Sequence, residues 1–499
     1  MVEALTDGLA FWPVGVPLAA AGAAILFGRI PAVQRVVSEL GVVLMLGAAL
    51  ALLARVAQGD VVATAFGGWR APFGVTFVAD RLSAALVTVT GVIALAVTIY
   101  SRAEIGARRR RSGFDPLFLA MLAAVNGAFL AGDIFNLYVW FELMLVTAIG
   151  LITLDRRRAQ IDGAIRYAAM SMLGATFILL GIGLLYGEAG SLNMLDLAER
   201  LAGRPATVTL SASGFLLLAG FALKTGIFPF FFWLPAAYHT APITILAALA
   251  GLLTKVGFYA CLRVFVLIFD LAAAPVVPGL PALIAVIAAA TMLVSVLAAI
   301  AQVDIRRLLG YHIMGQVAYP MVGLALASFA GVTAAIFYTM HTMLVQTGLF
   351  LGAGAVVRAN GSYDIRRCGG LLSNQPFFAG VFALLAVSMV GIPPLSGFWA
   401  KVFVIDAAFR GSQIWLAVVV LVVGFLTLYS MGKLWSQAFW KAPPRARRVL
   451  RRIPLAMIVA LVLLASSTLG IGLAVEPVAE YVRAAAEQLT LGRGTGGLP

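Results

Sequence analysis

Long apolar runs alternate with short polar turns along nearly the whole chain. Crossing a bilayer as a helix takes about 20 apolar residues. Fourteen segments meet that requirement: 10–28, 36–57, 79–101, 114–132, 133–153, 163–187, 207–238, 241–267, 279–302, 308–328, 330–357, 375–409, 412–438 and 453–475. The seventh and twelfth are interrupted. Three stretches break the pattern. Val61 to Val78 sets Gly67, Gly68, Pro72 and Gly74 among β-branched and aromatic residues, which predicts a short external β-hairpin. Leu192 to Leu201 spaces its apolar residues as an amphipathic helix lying at the outer surface, and Glu476 to Gln488 has the same character.

Composition agrees. Of 499 residues, 62% are apolar and 11% charged, with a mean hydropathy of +1.02, whereas soluble domains carry about 25% charged residues. The pattern is that of an all-α polytopic membrane protein. The start, Met1 to Asp7, is acidic and lacks the basic opening of a cleavable signal. The net charge of +14 could suggest nucleic acid until its placement is read. Numbering the connections from the start, twenty-two of the 35 basic residues fall in odd connections. Eight fall in even connections and the tail, and five (Lys224, Lys255, Arg263, Lys401, Lys433) lie within helices. Lys/Arg excess marks the cytoplasmic side. This split predicts fourteen helices with both termini outside a bacterial or archaeal inner membrane, and no nucleic-acid partner. Two cysteines, Cys261 and Cys368, and three histidines form no disulfide framework and no ligand cluster for zinc, haem or iron–sulfur, so no metal or cofactor is expected.

The two interruptions share a pattern. The seventh segment holds Gly226-Ile227-Phe228-Pro229 and then Phe232-Trp233; the twelfth holds Gly391-Ile392-Pro393-Pro394 and then Phe398-Trp399. Proline inside a helix removes a donor and clashes with the preceding turn, so each segment should break at mid-membrane. Matched broken helices point to repeats around a transport site. The expected halves are 114–267 (helices four to eight) and 279–440 (helices nine to thirteen). With five helices each, the second must be inverted. Residues 1–113 precede them, and 441–499 form the last helix and tail.

Four ionisable residues sit deep in apolar segments: Glu142, Lys224, Lys255 and Lys401. A charge at the bilayer centre costs about 2.5–3.5 kcal/mol on insertion scales, so such residues usually face a polar path. A buried lysine loses affinity for its proton and a nearby carboxylate restores it. A Glu142–Lys224 pair of variable separation would therefore switch Lys224 between holding and releasing a proton. Lys433 and Arg263 lie nearer helix ends and are expected to snorkel. Histidines relay protons near neutrality. His341 lies deep in the eleventh segment, His312 near the start of the tenth, and His239 at the turn between the seventh and eighth. His312 has an ordinary helix-start hydrogen bond as its alternative role, and His239 simple solvation.

These residues resemble the antiporter-like subunits shared by complex I, membrane-bound hydrogenases and Mrp-type cation/proton antiporters. Gly132 to Leu145, Thr254 to Tyr259 and Gly391 to Lys401 look most like the D-type Mrp subunit. Asp304-Ile305-Arg306-Arg307-Leu308-Leu309-Gly310-Tyr311 is similar to the family's Asp-x-Lys/Arg-Arg-Leu-Leu-x-Tyr signature. The resemblance implies a helix-five glutamate at Glu142 and translocating lysines at Lys224, Lys255 and Lys401. It also implies partner subunits of an antiporter complex, with H+ as the ion carried here and Na+ handled indirectly. Some relatives have histidine at the position of Lys255 or glutamate at that of Lys401, and each of these can also protonate. The long C-terminal extension of the A-type is missing.

The leading reading is a proton-translocating subunit of a multisubunit Na+/H+ antiporter, embedded in lipid and doing no covalent chemistry. A proton-pumping subunit of a hydrogenase or complex I-type oxidoreductase would look nearly the same. A structural scaffold is the reading from another class.

Overall fold

The computed structural model describes residues 8–68, 74–271, 279–442 and 451–491. Each of the fourteen expected segments contains a helix: α1 Trp12–Leu26, α2 Pro31–Ala57, α3 Arg81–Glu104, α4 Phe114–Leu130, α5 Ile134–Ile152, α6 Arg158–Ala189, α7a Val208–Thr225 with α7b Trp233–Tyr238, α8 Ile243–Cys261, α9 Leu280–Ala301, α10 Ile305–Ala325, α11 Phe329–Asn360, α12a Pro376–Val390 with α12b Ser396–Arg410, α13 Ile414–Trp435 and α14 Leu455–Leu473. Among the described residues, ten helices are long and apolar enough to cross a membrane, and α1, α4 and α12a are shorter apolar helices. The chain is a multi-pass integral membrane protein.

The expected hairpin is present. β1 (Val62–Ala65) pairs antiparallel with β2 (Thr76–Ala79), from Val62↔Ala79 to Ala65↔Thr76. Its tip, including Arg70 and Pro72, lies outside the described residues, as do Arg445, Arg447, Arg448 and Arg493 of the charge count. β2 runs into Asp80, which caps α3 by accepting from the Ser83 amide at 2.9 Å.

The elements from the start of α5 to the end of α6 recur at a constant interval as those from the start of α10 to the end of α11. Asp133 caps α5 and Asp304 caps α10. Asp133 bridges to Asn193, and Asp304 to Asp364. The hydrogen bonds also match: Ile134 N to Leu192 O and Met194 N to Gly132 O, both 2.9 Å, against Ile305 N to Tyr363 O and Ile365 N to Val303 O, both 3.0 Å. α6 and α11 are each 32 residues long. They end at Gly190 and Gly361, whose φ values of 68° and 67° need a residue without a side chain. Each second member lies 171 residues after its first.

Both interruptions occur where the prolines place them. α7a stops at Thr225 with Gly226 at φ 73°, and α12a at Val390 with Gly391 at φ 93°. α8 continues into a π-helical turn, Leu262–Ile268. Its amino end is held by Glu104 of α3, whose carboxylate accepts from the amides of Ile243 (3.1 Å) and Thr244 (2.8 Å) and from the Thr244 hydroxyl (2.5 Å). Every residue of α8, Ile243–Cys261, is buried.

Two expectations are corrected. Arg263 does not snorkel. It is buried in the π-turn, and its guanidinium donates to both Asp80 oxygens, at 2.6 and 2.7 Å, and to the Tyr259 hydroxyl at 2.8 Å. A carboxylate was available inside the protein, and a bidentate pair satisfies a charge that would otherwise have to reach water. Lys433 likewise turns inward, donating to the carbonyls of Ile300 (2.7 Å) and Gln302 (2.9 Å) at the end of α9. An ammonium there complements the negative end of the helix dipole. The two amphipathic stretches form helices, Met194–Leu201 and Val475–Leu491. Both pack on protein. The first lays Met194, Leu197 and Leu201 inward against the π-turn. In the second, Tyr481 donates to Arg81 O at 2.9 Å and Gln488 accepts from Arg81 N at 3.0 Å.

Candidate functional site: a polar line through the helices

The expected Glu142–Lys224 contact exists as a long ion pair. Glu142 projects from α5 and Lys224 from the last turn of α7a, with 3.5 Å between Oε1 and Nζ. The pair is asymmetric: the Lys224 side chain is 6% exposed and that of Glu142 34%. Lys224 has a shorter bond to Ser171 of α6, at 2.9 Å, and its ammonium lies 5.5 Å from the centre of the Phe141 ring. It borders a small cavity with Tyr167, Trp233 and Tyr238. The indole N–H of Trp233 and the hydroxyl of Tyr238 are buried without a protein partner, as is the hydroxyl of Thr254 on α8. Buried polar groups in such positions are usually met by water. Among the described residues, no side-chain hydrogen bond joins Lys224 to Lys255; Trp233 and Tyr238 line the Lys224 cavity, and Thr254 precedes Lys255 in α8.

Lys255 is the most enclosed of the four, at 1% exposure. Its ammonium donates to Ala250 O at 2.6 Å and to the Gln346 side-chain carbonyl. Gln346, on α11, donates from its amide to the backbone carbonyl of His312 at 3.3 Å. The His312 imidazole meets Ser430 of α13 at 2.8 Å. His312 therefore bonds through the core, and the helix-start role does not apply to it. Together these contacts join α8, α10, α11 and α13.

Lys401 reaches back across the second interruption. Its ammonium donates to the carbonyl of Val390, the last residue of α12a, at 2.5 Å. The freed carbonyls at a helix end carry partial negative charge, so the break itself supplies a cation site. The Tyr319 ring lies 5.4 Å from the same ammonium and stacks on Tyr338 at 4.6 Å; Tyr338 stands edge-on to His341 at 5.6 Å. His341 Nδ1 bonds Ser396, the first residue of α12b, at 2.8 Å.

His239 stands apart from this line. It closes α7b, with Nδ1 2.8 Å from Pro235 O and Nε2 3.2 Å from the Arg307 guanidinium. Arginine can only donate, so Nε2 accepts and Nδ1–H donates to Pro235: this is the neutral ring. Burial, then the Arg307 charge, lowers its proton affinity below the ordinary imidazole value of 6.5. It opens on a surface vestibule with Asp162, Arg166 and Gln302.

Six of the seven expected residues thus fall into two groups: Glu142 with Lys224, and Lys255 with His312, His341 and Lys401. Ser171, Gln346, Ser396 and Ser430 belong to the same line and carry no mark in the sequence. Uncharged polar residues are common in membrane helices, and these four give no signal until the fold sets them against a lysine or histidine.

The sequence profile of the NADH:quinone oxidoreductase/Mrp antiporter transmembrane family matches residues 131–427. The chain belongs to that family. It is similar to the D-type subunit of the Na+/H+ antiporter of Alkalihalophilus pseudofirmus, 36% identical over 97% of both chains. It superposes on a chain of the Mrp complex of a Dietzia species with a TM-score of 0.91 and 30% identity, covering 97% of this chain and 98% of that one. The membrane-bound sulfane sulfur reductase, an archaeal respiratory complex, has a chain that matches with a TM-score of 0.88 at 25% identity, again over 97% and 98%. The fold and the D-type likeness expected from the motifs agree with these matches.

Proposed function

We propose that the chain is the proton-translocating D-type subunit of a multisubunit Na+/H+ antiporter, working with other subunits of an Mrp-type complex. The observation that carries this reading is the buried line from Lys255 through Gln346 to His312, with Lys401 held in the second helix break. Such groups are costly in a membrane unless they serve a path. Protons move along Lys224, Lys255 and Lys401, with water and histidines between them. Glu142 sets when Lys224 releases its proton, and His239 sits at the vestibule end. Cation exchange belongs to partner subunits. The chain carries out no covalent chemistry. Proton flow down the membrane potential supplies about 2.3 kcal/mol per charge per 100 mV.

The organisation follows from the same reading. Segments 114–267 and 279–440 are two inverted repeats. The constant 171-residue interval and the paired glycine-capped interruptions support this. Both termini face the outside, in line with the arginine placement. A role in a respiratory redox complex is the second reading, and the match to the sulfane sulfur reductase favours keeping it in view. Purification of the intact complex separates the two: small antiporter subunits should accompany the chain, and redox-cofactor subunits would instead support the second. Transport is tested with Lys224→Ala and Lys401→Ala in everted vesicles. Loss of Na+-dependent proton movement with normal assembly is expected; unchanged movement in both variants would overturn translocation by this chain.

A further inference from the structure

One buried polar chain extends beyond the lysines, histidines and Ser396 described above, to two hydroxyls that have no role there, those of Thr468 and Ser388. His341 Nδ1 bonds Ser396 Oγ at 2.8 Å. Ser396 Oγ bonds Thr468 Oγ1 at 2.5 Å, and Thr468 Oγ1 bonds Ser388 Oγ at 2.6 Å. None of these four residues is more than 1% exposed. Ser388 lies two residues before Val390, whose carbonyl holds Lys401. The chain therefore starts at His341 on α11, reaches Ser396 at the start of α12b and passes to Ser388 of α12a by way of Thr468 on α14.

Three features set it apart from ordinary satisfaction of buried hydroxyls. A hydroxyl in a membrane helix usually donates to the carbonyl one turn back, as Thr427 does to Val423 O and Thr347 to Met343 O. Here the hydroxyls bond one another instead. In both Thr468 contacts either oxygen can be the donor, so the row can run in either direction. And the packing is tight enough to need Gly397: a Cβ there would strike the Ser388 carbonyl and meet His341 Cε1 at 2.8 Å.

We propose that Ser396, Thr468 and Ser388 form a hydroxyl relay that carries protons between His341 and the helix break occupied by Lys401. This rests on the proton-translocating reading above and assigns α14, which lies outside both proposed repeats, a part in the path. The step balances. Starting from the imidazolium, His341 gives its Nδ1 proton to Ser396, Ser396 gives its own to Thr468, Thr468 gives its own to Ser388, and Ser388 gives its own to a neutral Lys401 amine at the break, leaving a neutral imidazole and an ammonium. Each oxygen loses one proton and gains one, and rotation of the three hydroxyls restores the starting direction.

The test uses the whole antiporter complex in everted vesicles, with a pH-sensitive dye, in H2O and in D2O. Thr468→Val keeps the shape and removes the hydroxyl; Thr468→Ser keeps the hydroxyl and removes a methyl. The expected result for Thr468→Val is a fall of about tenfold or more in proton movement, a larger solvent isotope effect and unchanged assembly, with Thr468→Ser close to wild type. A structural role would not change the isotope effect. Should Thr468→Val fail to assemble, Ser396→Ala breaks the neighbouring link and is judged by the same two outcomes. Wild-type rates in Thr468→Val, with Lys401→Ala inactive, would overturn the relay and leave the proposed function standing. Wild-type rates in both would overturn both.

Discussion

Gln346 is the residue whose replacement tests the lateral path most directly. It is an uncharged side chain that accepts from Lys255 and donates to the backbone carbonyl of His312 at 3.3 Å, tying α8 to α10. Gln346→Leu conserves bulk and removes both contacts. A hydrogen bond to a charged group is worth about 1.5–3 kcal/mol. Lys255 keeps Ala250 O at 2.6 Å, so it is not left wholly unpaired, and the loss falls on the step that leaves Lys255 for the second half. Raising that barrier by about 1.5–3 kcal/mol slows it by roughly 10- to 150-fold. The assay is Na+-dependent dye dequenching in vesicles holding equal amounts of assembled complex. Gln346→Glu, which retains an acceptor and adds a protonatable group, should keep much more activity than the leucine variant. A leucine variant within about twofold of wild type, less than 0.5 kcal/mol, would refute the connection through Gln346.

Asp80→Asn keeps the helix cap, because asparagine caps as well as aspartate, but leaves the buried Arg263 without its counter-charge. Breaking such a pair costs about 3–5 kcal/mol, read as a lower melting temperature of the detergent-purified complex, and adding Arg263→Met should recover most of the loss. Gly397→Ala drives a methyl into the Ser388 carbonyl; overpacking of this kind costs about 1–3 kcal/mol or more, so reduced yield and lost transport are expected, and a wild-type phenotype would show that the break is looser than described. His239 predicts a pH effect. Its folded-state affinity for protons is lowered by burial and by Arg307, so the unfolded chain binds the proton first as pH falls, and stability at this contact drops below about pH 6.5. Thermal stability followed from pH 8 to pH 5 should fall less steeply in His239→Gln than in wild type.

Much of this is legible in the chain because each signal has a single physical cause. Apolar length marks the helices. Glycine and proline mark the breaks at Gly226 and Gly391, where backbone geometry leaves few other choices. Lysines in apolar runs mark the proposed path, because a charge placed there is costly. Arg263 and Lys433 depart from expectation for the converse reason. Position along a helix says how far a side chain is from the surface, and nothing about whether Asp80 or the carbonyls of Ile300 and Gln302 wait inside. The 171-residue interval is hard to see in the sequence because most paired positions differ, as Ser171 of α6 and Thr342 of α11 do, and the pairs that keep the residue, such as Asp133 and Asp304, Tyr167 and Tyr338, and Gly190 and Gly361, are scattered. The serines and threonine around the second break are invisible there for want of charge.

The complete burial of α8, Ile243–Cys261, has a consequence for how such a protein is used. Lys255 is walled on every side by helices of its own chain, so no neighbouring protein has to finish the insulation around the central lysine. Glu142, by contrast, shows about a third of its side chain on the flank. The enclosed middle, the proposed proton path, is thus a self-contained cartridge, and what a host assembly can adjust is the rim. A chain built this way can be paired with different machinery without rebuilding its interior, and evolution of a new host complex should concentrate its changes around Glu142 before it touches Lys255.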